Sequence, residues 1–496
     1  MAAPLSSGPP SSGPLSSGPL SSGPLSSGPL SSGPLSSGGD LAARAEHALA
    51  DLLRQSHLLR PDAIEEVFAA AVRPLGIDEV RVYLADLQQR HLESLPAQDR
   101  QDGQGREGAK GKGAESLAID STLAGYAFRT VTIQHVPAGE GRDGYRVWVP
   151  LVDGTERLGV LSLLASDVAE AMLDRYRALA SLAGLVIVAK SGYSDTYAQV
   201  RRGARMALQA ELIWGFLVPR TFATDRVLVA ATLEPAYEAG GDAFDYSVLG
   251  DHLNVSIFDA LGHDLAAGLL ASVGVASCRS TRRAGGTLPD IVRRADNAIA
   301  GQFADLRFVT ALLCDLDLST GLFSWIPCGH PPPLLIRGNK VIKELARRPV
   351  LPLGLGGIDS RGEIDGRPPD AKHPDAKHPD GGQPDDGQPD DGHPDGGQLG
   401  GGATAPVYTE RLEPGDRVLL YTDGVTEGRS ADGAPFGLDR LSDFIIRHSN
   451  DGISAPETMR RLNHAISEYQ RGRLQDDATI VLVEWLPDHP ERNLTP

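Results

Sequence analysis

Cysteine and aromatic residues are scarce in this chain, and acidic residues outnumber basic ones. Its 496 residues include three cysteines, Cys278, Cys314 and Cys328, too few and too widely spaced for a disulfide framework or a zinc site. The net charge of -18 argues against nucleic acid or an anionic membrane as the main partner. No apolar run could span a bilayer, and the start lacks the basic and apolar regions of a secretory signal. These absences predict a cytoplasmic, soluble protein of two or three domains.

Two segments of low complexity interrupt the chain. The unit Leu-Ser-Ser-Gly-Pro repeats from Pro4 to Gly38, and His-Pro-Asp, Gln-Pro-Asp-Asp-Gly and Gly-Gly units fill Gly366 to Gly402. Proline at this density prevents helices and strand pairing, and such tracts bury almost no apolar surface. We therefore predict a disordered segment at 1–40 and a disordered surface insertion at 366–402. The functional alternatives are a docking tail and weak metal chelation by the histidines of the insertion.

A first domain is predicted at 41–190. Helical spacing of apolar residues covers 41–55 and 62–72, a short helix covers 120–128, and strands are predicted at 79–85, 91–95, 145–152 and 157–164. This order resembles a GAF sensory domain, with Trp148-Val149-Pro150-Leu151 and Leu158-Gly159-Val160-Leu161 in the places of its paired core strands. The resemblance implies a pocket but names no ligand, because the segment lacks cysteine and the family's Asn-Lys-x-Phe-x-Asp-Glu cyclic-nucleotide signature. A packing or dimerisation module is the alternative.

A linker at 191–221 joins the first domain to a second. Apolar residues lie near one side of a helix predicted from Ser194 to Val218, which Pro219 ends. Such a helix either pairs with its copy in a homodimer or packs against its own domains.

The second domain is predicted at 222–486, before a short tail at 487–496. Strands are predicted at 227–233, 253–258, 308–316, 321–326, 333–336, 417–421 and 479–485, and helices at 264–282, 288–303, 438–448 and 455–469. So many antiparallel-looking strands with helices in pairs predict an α+β fold of two packed antiparallel sheets flanked by helix pairs, an αββα sandwich.

Four aspartates lie at the ends of β-rich segments of this domain: Asp242, Asp259, Asp423 and Asp476. If the fold gathered them, their mutual repulsion would require cations between them. Oxygen ligands without cysteine or paired histidine favour Mg2+ or Mn2+ over zinc. An Asp-Gly pair such as Asp423-Gly424, taken alone, is more typical of a turn.

Seven short motifs follow one another in the second domain. They are Gly240-Gly241-Asp242, Asp259-x-x-Gly262-His263, Cys328-Gly329-His330-Pro331-Pro332, Pro352-Leu353-Gly354, Pro414-Gly415-Asp416, Tyr421-Thr422-Asp423-Gly424-Val425-Thr426-Glu427 and Asp476-Asp477-x-Thr479. In this order they resemble the sporulation stage II protein E branch of the metal-dependent (PPM, type 2C) protein serine/threonine phosphatases.

The resemblance implies a site and an activity. Asp242, Asp259, Asp423, Asp476 and the backbone carbonyl of Ala260 would hold two Mn2+ or Mg2+ ions, which activate a water for attack on phosphorus. The expected substrate is phosphoserine or phosphothreonine on a regulatory protein, an anti-sigma factor antagonist, with the GAF-like domain as sensor. A non-catalytic phosphoprotein-binding module and hydrolysis of a small phosphorylated metabolite are the alternatives.

Several residues near these motifs have open or unusual roles. Asp245 is expected to be structural, and Asp477 replaces Asp476 as ligand if the register slips by one. Ala260 stands where many type 2C enzymes have glycine, and Asp264 stands where this branch usually has glycine. No general acid is assigned, because His263 does not lie at the position of the family's proposed acid histidine and His330-Pro331 is typical of a structural turn.

Overall fold

The computed structural model describes residues 37–96, 115–139, 141–303, 307–338, 340–356, 405–471, 474 and 476–486. The predicted insertion at 366–402, the tail at 487–496 and most of the predicted segment 1–40 lie outside these residues. The last four residues of that segment belong to the first helix, so the boundary predicted at 40 is slightly too late. Within the described ranges, no helix combines the length and apolarity needed to cross a bilayer.

The first lobe contains one six-stranded antiparallel sheet and four helices. Its strands are β1 (Ile77–Ala85), β2 (His91–Ser94), β3 (Ser116–Ala118), β4 (Gln134–Pro137), β5 (Tyr145–Asp153) and β6 (Glu156–Ala165). Its helices are α1 (Ser37–Ser56), α2 (Ile64–Val72), α3 (Leu123–Thr130) and α4 (Glu170–Ser191), with short 3-10 turns at Pro61–Ala63 and Arg73–Leu75. The strand order is β3-β2-β1-β6-β5-β4.

Both faces of this sheet are covered, because its strands carry apolar side chains on both sides. On one face, α1, α2 and α4 pack against residues such as Val82, Val149 and Leu161. On the other face, α3 packs Phe128 against Tyr83 and its neighbours. The four strands predicted for this domain are confirmed to within two residues at each end.

Helix α4 is the main element of this lobe that the sequence pattern did not predict. Its buried side includes Tyr176, Leu179 and Ile187, but its exposed side also carries Leu185 and Val188. Apolar residues around the whole circumference weaken the one-sided periodicity by which a surface helix is recognised.

The linker contains two short helices instead of the single helix predicted from Ser194 to Val218. They are α5 (Asp195–Arg201) and α6 (Leu208–Phe216). Between them, the amides of Gly203 and Ala207 donate to the hydroxyl and carbonyl oxygens of Tyr237, at 2.9 and 2.8 Å. These bonds replace the intrahelical bonds of a continuous helix. The helices pack into the chain's own cores through Tyr197 and Ile213.

The second lobe is an αββα sandwich, which confirms the predicted fold class. Its strands are β7 (Thr221–Ala223), β8 (Val227–Glu234), β9 (Asp242–Leu249), β10 (His252–Ala260), β11 (Val309–Asp317), β12 (Leu322–Cys328), β13 (Leu334–Arg337), β14 (Lys340–Glu344), β15 (Tyr408–Arg411), β16 (Arg417–Tyr421) and β17 (Ala478–Trp485). Its helices are α7 (Leu265–Arg283), α8 (Leu288–Gln302), α9 (Asp423–Glu427), α10 (Gly437–Asn450) and α11 (Ala455–Tyr469). The two antiparallel sheets have the orders β15-β12-β11-β10-β9 and β14-β13-β16-β17-β8-β7.

Strand β8 shows how the layers form. Val227, Val229 and Leu233 point into the core between the sheets, which belongs to the same apolar cluster as the layer under α7 and α8. Ala230, on the opposite face, packs into the core that α10 and α11 cover. The alternation of side chains along a strand thus places one apolar row in each core.

The two lobes contact each other through polar side chains. Arg157 of β6 forms a buried ion pair with Glu457 of α11 at 2.9 Å, and Arg460 binds Asp120 at 2.6 Å. The β1–β2 turn reaches the end of β8, where the Gln88 amide donates to the Glu234 carboxylate at 3.3 Å.

Candidate metal centre

Asp242 and Asp259 face each other across two neighbouring strands. Asp242 begins β9 and Asp259 is the penultimate residue of β10, and the antiparallel register pairs them directly. Directly opposed residues on one sheet have Cβ atoms about 5 Å apart. Like charges at such positions repel each other, so this pair favours a cation close by.

Thr422 connects this strand pair to the second sheet. Its hydroxyl donates to Asp242 Oδ2 at 2.8 Å and accepts the amide of Thr479 at 2.9 Å. Thr422 follows β16 directly and precedes Asp423, the first residue of α9. The two sheets therefore meet at one end of the sandwich, and three of the predicted motifs meet with them.

Asp477 organises the loop before β9. Its Oδ2 accepts the backbone amides of Gly240, Gly241 and Asp242 at 2.8, 2.6 and 3.2 Å. A carboxylate oxygen used in this way positions the backbone of a neighbouring ligand. Because Asp477 has this structural role, the exposed side chain of Asp476 is the one of the pair that does not bind these amides.

Glycine is required where these motifs touch. A Cβ on Gly424 would lie 1.9 Å from the carbonyl oxygen of Asp477, and one on Gly241 would lie 2.8 Å from that of Ala260. Any larger residue at either position would push the motifs apart. The Gly-Gly-Asp and Asp-Gly patterns therefore reflect close backbone approach at the site.

Burial and mutual repulsion raise the pKa values of these carboxyl groups. Burial, then the charges of Asp423, Asp476 and Asp477, raises the pKa of Asp259 to about 8. Burial and Asp259 raise the pKa of Asp242 well above its usual value, and burial and Asp476 raise that of Asp423. The three fully or partly buried ligand candidates thus interact electrostatically with one another and with the aspartates of the last motif.

The donor set suits a hard divalent cation, although no coordination shell is complete. Among the described residues, no three His, Cys, Asp or Glu side chains are arranged to hold one ion. Mg2+ commonly binds through one or two carboxylates and keeps several waters, so such a shell is not required. In the described parts of the chain, none of the four aspartates forms a salt bridge with a basic side chain. Clustered carboxylates that lack such partners and raise one another's pKa are the arrangement a divalent cation would stabilise.

The neighbouring aspartates have structural partners. Asp245 is fully buried and bound by Arg279 and Arg282 of α7, at 2.7 and 3.0 Å, as expected of a structural residue. Asp264 caps α7, where its Oδ1 accepts the Ala267 amide at 2.9 Å, and Arg307 lies 3.3 Å from it. The negative charge of Asp264 is therefore balanced locally by a helix N-terminus and an arginine.

The two motif histidines have different environments. His263 is exposed, whereas His330 is buried and its Nδ1 lies 2.9 Å from the Thr310 hydroxyl. Burial lowers the pKa of His330 to about 3, so it is neutral near pH 7 and has no proton to spare as an acid.

Sequence reasoning missed the roles of Thr422 and Asp477. The role of Thr422 could have been predicted, because it lies inside the Tyr-Thr-Asp-Gly motif next to a predicted ligand. No sequence feature indicated the role of Asp477, because its three partner amides lie more than 230 residues away along the chain.

Two comparisons relate the chain to known protein families. Residues 250–363 and 383–486 match the family model described as stage II sporulation protein E (SpoIIE). The chain is 21% identical over 307 residues to phosphoserine phosphatase RsbU of Bacillus subtilis (strain 168), covering 59% of this chain and 76% of that protein.

Solved structures also align with the chain. The RsbU and RsbW domains of Rv1364c from Mycobacterium tuberculosis align at 22% identity and a TM-score of 0.38, covering 53% of this chain and 63% of that one. The phosphatase domain of SpoIIE from Bacillus subtilis aligns at 18% identity and a TM-score of 0.33, covering 54% and 95%. The second lobe of this chain thus resembles a SpoIIE-type domain, both in the family match and in the motifs at the sheet ends.

Proposed function

We propose that the second lobe is a divalent-metal-dependent protein phosphatase that hydrolyses phosphoserine or phosphothreonine. The observation that carries this proposal is the contact of Asp242 with Thr422 and Asp477, which unites the first and the last two aspartate motifs at one end of the sandwich. The SpoIIE family match and the similarity to phosphoserine phosphatase RsbU support it.

Each residue of the site has a distinct task in this proposal. Asp242, Asp259, Asp423, Asp476 and the carbonyl of Ala260 hold two Mn2+ or Mg2+ ions. When bound, such ions polarise water and offset the negative charge that gathers on the phosphoryl oxygens. Asp477 and Thr422 keep Asp242 in place through the bonds described above.

The reaction is a hydrolysis. A water oxygen forms a bond to phosphorus, the bond from phosphorus to the serine or threonine oxygen breaks, and that oxygen takes up a proton. The products are the free hydroxyl side chain and inorganic phosphate. The negative cluster at the site would repel a phosphorylated substrate unless cations were present, so turnover must depend on the divalent ion.

A Mn2+ titration with a chromogenic phosphate monoester and with a phosphoserine peptide tests this activity. Asp423→Asn should lower turnover by at least about 100-fold, because it removes a charge that the cations require. Asp432→Asn is the matched control, since Asp432 is an exposed turn residue nine positions further on. Turnover without added metal after chelation, or full activity of Asp423→Asn, would contradict the proposal.

The protein substrate is a second part of the proposal. Similarity to RsbU supports a partner in an anti-sigma factor network, and we propose a phosphorylated anti-sigma factor antagonist. Comparing the phosphoproteomes of strains with and without the protein would identify it. A small phosphorylated metabolite as the preferred substrate would appear as faster turnover of small esters than of phosphopeptides.

The first lobe is proposed as a GAF-like sensor that controls the phosphatase. Two contacts could carry a signal to the loop before Asp242: the linker amides that bind Tyr237, and the bond from Gln88 to Glu234. Gln88→Ala should change the Mn2+ concentration needed for half-maximal turnover. If this variant and a deletion of residues 41–190 both left Mn2+-dependent turnover unchanged, the proposed control would be wrong. A homodimer through 194–218 and a cytoplasmic location remain predictions.

The non-catalytic alternative is a phosphoprotein-binding module that does not hydrolyse its ligand. Such a module would bind a phosphoserine peptide without releasing inorganic phosphate at any Mn2+ concentration.

A further inference from the structure

A cavity of about 400 Å3 lies between the two lobes, away from the aspartate cluster. The first lobe contributes the end of α3, the β5–β6 turn and one side of α4, and the second lobe contributes β7, β8 and the start of α11. This volume falls within the range of small-molecule sites in proteins.

The walls of this interlobe cavity are mainly apolar. Val131, Val152 and Leu185 line it from the first lobe, and Leu228 and Pro456 line it from the second. Leu185 keeps 59% of its surface exposed, although it lies in the middle of α4. A large apolar side chain left uncovered beside a cavity gains free energy when an apolar molecule covers it.

One polar atom in the cavity wall has no partner. The hydroxyl of Thr155, in the turn between β5 and β6, is buried and makes no hydrogen bond to any described residue. Buried hydroxyl groups in native proteins are nearly always bonded, so an orphaned one needs an explanation. The hydroxyl oxygen has almost no exposed surface, so the Thr155 side chain would have to rotate towards the cavity for a ligand oxygen to supply the missing bond.

Two charged residues line the cavity, and Asp153 is partly exposed, where pairing with a cation would be worth little. Arg157 lines the cavity, but its guanidinium donates to Glu457 at 2.9 Å and to the Pro456 carbonyl at 3.1 Å. An anionic ligand would have to compete with Glu457, whose side chain is buried. An anionic molecule would also lose its hydration without gaining a new partner.

We propose that the interlobe cavity binds a small uncharged molecule, mainly apolar, with a hydroxyl or carbonyl group that bonds to Thr155. The volume is that of roughly 13 water molecules at about 30 Å3 each, which suits a small organic molecule. The molecule contacts both lobes, so its binding stabilises their observed contact by mass action. This site is separate from the proposed phosphatase centre, and its test needs no catalytic activity.

The test uses two probes of matched size and the full chain. 4-Phenyl-1-butanol has an apolar body with a hydroxyl, and 4-phenylbutanoate replaces that hydroxyl with a charge. Ligand-observed NMR titration of each probe gives its dissociation constant. We expect the alcohol to bind at least about ten times more tightly than the acid, because only the acid loses the hydration of a charge.

Three variants locate the binding. Leu185→Trp fills the cavity and should weaken binding of the alcohol at least about tenfold, whereas Leu53→Trp should not change it. Leu53 is the matched control, since it is 56% exposed on α1 and does not line the cavity. Thr155→Val keeps the side-chain shape and should weaken binding of the alcohol several-fold. It should not reduce thermal stability, because the lost hydroxyl had no partner in the protein.

Three results would overturn the proposal. They are no saturable binding of the alcohol, equal binding to the Leu185→Trp and Leu53→Trp variants, and tighter binding of the acid than of the alcohol. Unchanged binding to Thr155→Val would overturn the role assigned to its hydroxyl.

Discussion

Replacing Asp259 by asparagine should stabilise the metal-free protein while removing its response to metal. In the unfolded chain this carboxyl ionises near pH 3.8, but burial and the neighbouring aspartates raise its pKa in the fold to about 8. Because the folded pKa is the higher one, the group destabilises the fold above about pH 4. The free energy of unfolding that Asp259 removes grows as the pH rises towards 8 and is constant above it.

The expected size of the effect follows from linkage. At pH 7, the solution is about three pH units above the pKa of Asp259 in the unfolded chain and still below its pKa in the fold. At 1.36 kcal/mol per unit, the cost is on the order of 4 kcal/mol. A domain of this size shifts its Tm by about 2–4 °C for each kcal/mol, so the metal-free variant should melt roughly 8 to 16 °C higher.

Thermal unfolding in EDTA, followed by tryptophan fluorescence, measures this shift. Trp214, Trp325 and Trp485 all report on the second lobe, where Asp259 lies. Adding Mn2+ should raise the Tm of the wild type by more than that of Asp259→Asn, because the variant has lost one of the charges that attract the ion. The gap between the metal-free proteins should widen from pH 5 to pH 8.

A control separates this effect from a simple change of net charge. Asp251→Asn also removes one negative charge, but Asp251 is exposed and pairs with Arg226 at the surface. Asp251→Asn should change the free energy of unfolding by less than about 1 kcal/mol. An unchanged or lower Tm of metal-free Asp259→Asn would refute the idea that the aspartates repel one another at this site.

Three further predictions concern buried polar groups. Asp477→Ala should destabilise the lobe by about 3 kcal/mol and weaken Mn2+ binding in a thermal-shift titration, because three amides lose their acceptor. Glu457→Gln should cost about 3–5 kcal/mol in denaturant unfolding, because it leaves Arg157 buried without its anion. Burial raises the pKa of Glu457, but the hydrogen bond from Arg460 and the charge of Arg157 outweigh it and hold the pKa at about 2. The stabilisation is therefore present above about pH 4.5 and lost as pH falls towards 2, a loss that Glu457→Gln should not show in acid unfolding. His330→Asn should leave the pH–rate profile between pH 5 and 8 in place, since His330 titrates at about 3.

The apolar pattern of the sequence was sufficient for most of the second lobe. Helix α11 was predicted with the bounds the structure has, and α7 was placed to within one residue. Strand β9 was missed because it carries Asp242 and Asp245 on a segment with little alternation of apolar and polar residues. The one-sided spacing of a surface helix or half-buried strand is a local property, so it can be recognised without knowledge of the fold.

The linker shows where local patterns stop being sufficient. Its apolar spacing predicted one helix, yet the amides of Gly203 and Ala207 bond to Tyr237, more than 25 residues away. Backbone amides take whichever acceptor the tertiary structure offers, and a sequence does not show which acceptors lie in reach.

The sequence by itself determined the two-lobed organisation, the sandwich class and the four aspartates as metal-ligand candidates, because periodicity and motif order are carried by neighbouring residues. Only the tertiary structure decided that Thr422 bonds to Asp242, that Asp477 binds three amides, and that a cavity separates the lobes beside Thr155. These features join residues that are distant along the chain, and their geometry depends on how whole sheets and lobes pack together.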